Sequence, residues 1–446
     1  MSRVRMLVGL GAMAAAGGVI SSSRRNAGKR VPSFPPGPIA LAADEAATFA
    51  ARLAAAPLVR KRDVAISFAP TTARAVEPLL HGTSYFPRML DDLRAASSSI
   101  DMLIYGFKPG DIGSAFRDVL LAKVAEGIPV RLSVDAVGSE VRAGSKVLFR
   151  ELVEGGVQIV QNRGMFPDVR GPLGPGAPIG WRKENVLHFD HRKFMVVDGR
   201  VGYLGGTGLE DHFNDERFTD VMVRFEGPAV RQLQALFVAS WRHQEGPLDA
   251  DEATMALLFP PDDGPSSGPG VVPATLLVNV PGTGHVPISE AYEQVIDAAE
   301  RRVDLVNPYI SERPILDRLV RAAERGVAVR IIVPGKPTPP MPAAAFRHNV
   351  PRLQAAGATV LFHPSMAHAK VMVADDGVLV GGCNLDALSL YRNWELNLFL
   401  EGAEVAEAFE RAIFDPLLAV STPAEIIRTA GGQAFDAAMD RISPLL

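Results

Sequence analysis

The 446-residue chain contains one cysteine, Cys383. An internal disulfide is therefore excluded, and with no Cys/His cluster at zinc spacing neither staples nor a structural metal are indicated. An excess of one charge is also lacking: 50 acidic residues face 46 basic ones, a formal net charge of −4. That balance offers no broad positive field to hold a polyanion by counterion release, and it disfavours a nucleic-acid partner. Long apolar runs are scarce. Met6 to Ile20 (MLVGLGAMAAAGGVI) lies between Arg3/Arg5 and the basic group Arg24, Arg25, Lys29 and Arg30, and is short of the roughly 20 residues a spanning helix needs. A basic start, an apolar middle and small residues fit a signal peptide or a marginal anchor, with a disordered or loosely interfacial tail as the alternative, and Val31 to Pro38 (VPSFPPGP) reads as a stiff linker.

What the chain does have is a duplicated motif. HRKFMVVD runs from His191 to Asp198 and HAKVMVAD from His368 to Asp375, so the pattern His-x-Lys-x4-Asp occurs twice. The first copy is followed by GYLGGTGLED and the second by VLVGGCNLDA. One match would be weak, but two with similar trailing segments indicate an internal repeat. On a strand, residues two apart share a face, so each copy presents an imidazole and an ammonium together. A histidine that reacts through one ring nitrogen needs the other held, normally by a carboxylate. Asp220 and Glu395 follow the two histidines at similar distances, each at the start of an apolar alternating segment. Asp198 and Asp375 fall at the far end of their strands, near Gly199 and Gly377, where turn or ion-pair roles are expected.

Apolar and turn signals alternate as in α/β layers. In the first half, helical spacing covers Glu45–Val59, Phe86–Ala96 and Gly113–Glu126, with strands at Ile100–Gly106 and Pro129–Asp135. In the second, helices are expected at Ile288–Arg301 and Ile315–Glu324, with strands at Val303–Val306 and Val327–Val333. The strands are apolar on both faces, as in a sheet covered on both sides. The expected organisation is an N-terminal segment and linker (1–38), a first domain (39–259), a Pro/Gly/Ser-rich linker (260–273) and a second domain (274–446). Two further loops, Gly164–Gly180 and Pro334–Pro342, are placed to border a pocket mouth, and the first carries apolar residues suited to a lipid interface. Tyr105 and Tyr309, at the ends of matching strands, are candidate pocket residues.

The motif pair resembles the phospholipase D superfamily, and within it the bacterial cardiolipin synthases. SIDMLIYGF and DHRKFMVVDGRVGYLGG carry the likeness in the first half, and HAKVMVADDGVLVGGCNLD and SLYRNWELNLFL in the second. The resemblance implies two similar α/β domains, each a mixed sheet flanked by helices on both faces, related by a pseudo-two-fold axis around one phosphodiester-processing centre. Such a centre needs a nucleophile, cations for the non-bridging oxygens and an acid for the leaving alcohol, all of which two His/Lys pairs supply without a metal or cofactor. The resemblance further implies that His191 attacks, His368 is general acid and base, Lys193 and Lys370 hold phosphate, and Asp220 and Glu395 orient the imidazoles. It matches Asn384, Ser389 and Asn393 to substrate-binding positions. Gly208 stands where an asparagine is usual and Leu388 where an arginine is. The implied reaction is phosphatidyl transfer at a membrane surface from a phosphatidylglycerol-like lipid, with phospholipase D hydrolysis and, less favoured, nuclease activity as alternatives.

Overall fold

The computed structural model describes residues 40–56, 66–141, 144–162, 171–172, 189–281, 283–337, 340–426 and 429–443. The apolar run at 6–20, the linker at 31–38 and most of the loop at 164–180 lie outside the described residues.

Seven strands of the main sheet come from the first half: β1 (Thr71–Leu80), β2 (Ile100–Ile104), β3 (Val130–Asp135), β4 (Gln158–Asn162), β5 (Phe194–Val197), β6 (Val201–Gly205) and β7 (Val221–Glu226). Seven come from the second: β8 (Val271–Asn279), β9 (Arg302–Val306), β10 (Ala328–Pro334), β11 (Thr359–His363), β12 (Val371–Ala374), β13 (Gly377–Gly381) and β14 (Glu395–Glu401). Starting from the middle, the first half runs β1-β7-β6-β5-β2-β3-β4 and the second β8-β14-β13-β12-β9-β10-β11, ending in the short edge strands Gly171–Pro172 and Thr422–Pro423. The two orders are the same, so the repeat seen in the motifs extends through the sheet. Antiparallel pairing of Thr71–Arg74 with Val271–Ala274 joins the halves into one sixteen-stranded sheet.

Side-chain alternation distributes the core. In β5, Phe194 and Val196 point into a core on one face, and Met195 and Val197 into a core on the other. In β12, Val371 and Val373 join that first core, whereas Met372 and Ala374 enter a third. One face is therefore packed continuously across both halves, against α1 (Ala46–Ala55), α5 (Pro228–His243) and the segment 403–420. The opposite face carries two separate cores. One lies under α2 (Gly82–Ala95), α3 (Asp111–Ala125) and α4 (Lys146–Glu154), the other under α7 (Pro287–Ala298), α8 (Arg313–Glu324) and α9 (Pro340–Ala355). Equivalent ion pairs, each on a fully buried aspartate, mark the same place in each half. Arg131 Nε donates to Asp101 Oδ1 at 2.7 Å, and Arg330 Nη2 to Asp304 Oδ2 at 2.7 Å. Removing either arginine would strand a buried carboxylate, so these pairs resist loss whatever their net worth.

Several boundaries differ from the sequence reading. β8 begins at Val271, inside the stretch expected as linker, because Val271, Val272 and Pro273 pair with Arg74, Ala73 and Thr72. α9 begins at Pro340, within the expected loop 334–342, since proline suits a helix's first turn. β1 was not foreseen: TTARAVEPLL alternates weakly and contains Pro78, which tertiary pairing with β7 and β8 tolerates. Tyr105 and Tyr309 are not register equivalents. The bridges Phe107 to Leu209 and Ile310 to Leu385 align Tyr105 with Pro308 and Gly106 with Tyr309.

Candidate active site

The two motif histidines precede β5 and β12, and each is held by the opposite half. Asp190 bridges in parallel to Trp394, and His191 N donates to Trp394 O at 3.0 Å. In the same manner Phe218–Thr219 pairs in parallel with Met366–Ala367, and His368 N donates to Thr219 O at 2.6 Å. The chain before each histidine thus runs beside the chain before the other half's carboxylate.

Those carboxylates complete a crossed arrangement. His191 Nδ1 lies 2.8 Å from Glu395 Oε1, and His368 Nδ1 lies 2.7 Å from Asp220 Oδ2. Both carboxylates have fully buried side chains, and both imidazoles are 14 % exposed. With an ionised carboxylate as acceptor, Nδ1 carries the proton and Nε2 is left with its lone pair. The four residues named from the sequence are brought together here, but the sequence could not show that each acid meets the histidine of the other repeat. Gly206 is part of this geometry: a Cβ there would sit 2.3 Å from Asp220 Oδ1.

The lysines come from the same strand starts. Lys193 Nζ donates to His191 O and lies 4.9 Å from the Tyr105 ring centroid, while Lys370 Nζ donates to His368 O and lies 3.0 Å from His368 Nε2. Burial pushes Lys193 down to about 8 and Lys370 down to about 7. Burial, then Lys193 and Lys370, hold His191 well below the ordinary imidazole range. His368 is pushed down to about 3, by burial first and then Lys370, against the pull of Asp220. Lys370 thus acts on both imidazoles, as does Lys193, which places all four groups in one centre. The carboxylates differ. Burial raises Glu395 to about 8, although Lys193 and Lys370 oppose it. At Asp220 burial also raises, but Lys370 and His368 outweigh it and keep this carboxylate below its usual range.

Ser389, on α10 (Ala387–Tyr391), and Asn393 lie beside the Glu395 carboxyl and favour its charged form. Asn393 Oδ1 also accepts from Phe189 N at 3.2 Å, tying the two halves together. Asn384 is buried, with Oδ1 unpartnered among the described residues. Asp198 and Asp375 are remote from this chemistry. Asp198 accepts from the backbone N–H groups of Ser97, Ser98 and Ser99, and Asp375 from those of Glu300, Arg301 and Arg302. Both sit at positive φ and pin the start of β2 or β9, the turn role expected for them. Walls that sequence reasoning missed are Phe213 and Phe218, whose rings lie 5.7 and 5.1 Å from that of His368. Tyr105 meets His191 edge-on at 4.8 Å. Nothing local in the sequence marks Phe213 or Phe218, because their contact is made across the halves. Among the described residues, no group of His, Cys, Asp and Glu is arranged to hold a metal ion, and no helix is long and apolar enough to cross a membrane.

Residues 292–416 match the family model described as cardiolipin synthase, PLD-like domain. The chain is 29% identical over 357 residues to the major cardiolipin synthase ClsA of Bacillus subtilis, covering 78% of this chain and 70% of that protein. It is 31% identical over 347 residues to the cardiolipin synthase of Halalkalibacterium halodurans, covering 75% and 63%. This chain therefore spans about two thirds of the length of these curated relatives. Among solved structures, the phosphatidylserine synthase of Haemophilus influenzae Rd KW20 superposes with a TM-score of 0.63 at 13% identity, covering 84% of this chain and 97% of that one, a likeness of fold. Residues 292–416 thus carry a PLD-like domain, and the chain is similar to bacterial cardiolipin synthases over most of its length.

Proposed function

We propose that this protein is a cardiolipin-synthase-like phosphatidyltransferase that works through a phosphohistidine at His191. The observation that carries the reading is the crossed pair of dyads, His191–Glu395 and His368–Asp220, gathered with Lys193 and Lys370 in one buried centre. The phosphorus of a phosphatidylglycerol-like lipid sits between the imidazoles. His191 Nε2 attacks it, the P–O bond to the head-group alcohol breaks, and His368 protonates the departing oxygen. Transfer reverses these roles: His368 takes the proton of an incoming lipid alcohol, whose oxygen displaces His191 from phosphorus. Lys193 and Lys370 neutralise the non-bridging oxygens, and the phosphate in turn favours their charged forms, which burial alone suppresses. Asp220, held ionised, and the bound phosphate anion together stabilise the His368 imidazolium, which gives its Nε2 proton to the leaving alcohol and takes one back from the incoming alcohol. Asn384, Ser389 and Asn393 assist in holding substrate and Glu395. The relatives' names and the near-neutral charge of this chain favour a lipid over a nucleic acid, and we place the enzyme at the bacterial membrane surface.

Hydrolysis by water, as in a phospholipase D, uses the same groups and is the second reading. Purified protein given labelled phosphatidylglycerol in vesicles separates them: cardiolipin plus glycerol supports transfer, and phosphatidic acid supports hydrolysis. His191→Ala and His368→Ala are each expected to lower turnover by at least about 10²–10⁴-fold. Near-wild-type turnover in either variant would remove the two-histidine mechanism. Sedimentation with anionic vesicles tests the membrane placement.

A further inference from the structure

The two halves differ where the segments after β6 and β13 reach the centre. In the second half, Asn384 is followed two residues later by Asp386, which is buried and caps α10 by accepting from Ser389 N at 2.8 Å. In the first half these positions are Gly208 and Glu210. Glu210 caps no helix in this way and turns back over the glycines: a Cβ on Gly208 would lie 3.1 Å from its Oε1, and one on Gly106 would lie 2.3 Å from it. The Glu210 carboxylate therefore occupies space beside the missing asparagine. Lys108 Nζ fixes it at 3.0 Å and also reaches Glu140 Oε1 at 3.2 Å, while His212 Nδ1 is 3.7 Å from Glu210 Oε2. The position matching Lys108 in the second half is Ser311, since both backbone N–H groups donate to the paired leucine carbonyls, Leu209 and Leu385. Among the described residues, this charged cluster thus belongs to the first half alone.

The cluster adjoins the His368 side of the centre. The ring of His212 lies 4.2 Å from that of Phe213 and 4.6 Å from that of Phe218, and these two rings form the wall against His368. Glu210 is near enough to Tyr105, which meets His191, to act on it electrostatically. The Glu210 side chain is 14% exposed and that of Lys108 32%, so both remain reachable from solvent. A carboxylate is a poor neighbour for a phosphate anion, but it is a strong acceptor for hydroxyl groups.

From this we infer that Glu210, fixed by Lys108, is a specificity-determining residue that accepts a hydrogen bond from a free hydroxyl of a polyol alcohol, one whose other hydroxyl is activated by His368. The inference rests on the phosphatidyl-transfer reading and assigns to Glu210 the selection of a vicinal polyol head group over a simple monohydric alcohol. Because leaving and entering alcohols pass the same general acid and base, the same contact also favours a glycerol-bearing donor.

The test uses the full chain and phosphatidyl-p-nitrophenol, a donor whose leaving group has no hydroxyl to offer. Glycerol and 1-butanol compete as acceptors, and the two phosphatidyl products are quantified. Wild-type protein is expected to favour glycerol, and Glu210→Gln and Lys108→Met to lower the glycerol-to-butanol product ratio, the former by roughly 10- to 100-fold, the effect of one hydrogen bond to a charged group. An unchanged ratio in Glu210→Gln would overturn the inference, and so would equal losses with both alcohols, which would mark a structural role. If the wild-type protein transfers to neither alcohol and releases no nitrophenol, the phosphatidyl-transfer reading itself fails.

Discussion

Replacing Asp220 with asparagine removes the negative charge that faces His368 across 2.7 Å while keeping the side chain's size. At that distance two unit charges attract by about 6 kcal/mol at an effective dielectric of about 20. Desolvation of both groups cancels most of this, and a hydrogen bond to a charged partner nets about 1.5–3 kcal/mol. The smaller range governs, and Asp220→Asn should slow the step that needs the His368 imidazolium by roughly 10- to 100-fold. A nitrophenolate leaves without an acid, so phosphohistidine formation from phosphatidyl-p-nitrophenol should be spared. Stopped-flow absorbance should therefore show a preserved nitrophenol burst followed by a slowed steady state. Glu395→Gln should instead slow the burst itself, because Glu395 serves His191. Imidazole ¹⁵N NMR provides an independent reading, with Asp220→Asn moving the His368 resonances. A loss of burst in Asp220→Asn with a normal burst in Glu395→Gln, or movement of the His191 resonances alone, would refute the crossed pairing.

Two other outcomes follow from the electrostatics and the turns. Burial lowers Lys370 to about 7 and Lys193 to about 8, so the free enzyme loses these cations as pH rises through that range. kcat/KM should fall above about pH 7–8, while kcat falls less because bound phosphate keeps the lysines protonated; a kcat/KM profile flat to about pH 9.5 would contradict this. Asp198 pins three successive backbone N–H groups from a φ of +54°. Asp198→Ala should cost about 2–4 kcal/mol through lost charge-assisted bonds and left-handed strain, read as a lower urea midpoint. For Asp198, burial raises the pKa, but the bonds to Ser97, Ser98 and Ser99 outweigh it and leave it depressed. Its stabilisation is therefore present above the unfolded-state pKa of about 4 and is lost as pH falls through the lower folded value. The gap between the wild-type and Asp198→Ala midpoints should narrow below about pH 4 to the part due to left-handed strain, and a constant gap down to pH 2 would contradict the assignment.

Much of the site was legible in the chain because its chemistry is repeated. His191, Lys193, His368 and Lys370 announce themselves by spacing, and Asp220 and Glu395 by matching positions on two similar segments. The His-x-Lys spacing reads as strand alternation, whereas each pair lies just ahead of β5 or β12 rather than within it. The pairs Asp101–Arg131 and Asp304–Arg330 were not foreseen, since a charge inside an apolar strand shows no partner until the neighbouring strand is known. β1 escaped notice for the same reason, its weak alternation being supported by β7 on one side and β8 on the other.

By itself the sequence determined that two imidazole–ammonium pairs exist, that a carboxylate follows each, and that Asp198 and Asp375 belong to turns. The tertiary structure decided which carboxylate meets which histidine. Periodicity reports only on neighbours along one strand, whereas the contacts of His191 with Glu395 and of His368 with Asp220 arise because β1 and β8 join the halves and the parallel bridges at Asp190–Trp394 and Phe218–Met366 interleave them. It also decided that the halves are unequal: Gly208 leaves room in the first half that the Glu210 carboxylate fills, and only the folded chain brings Lys108 close enough to hold it there.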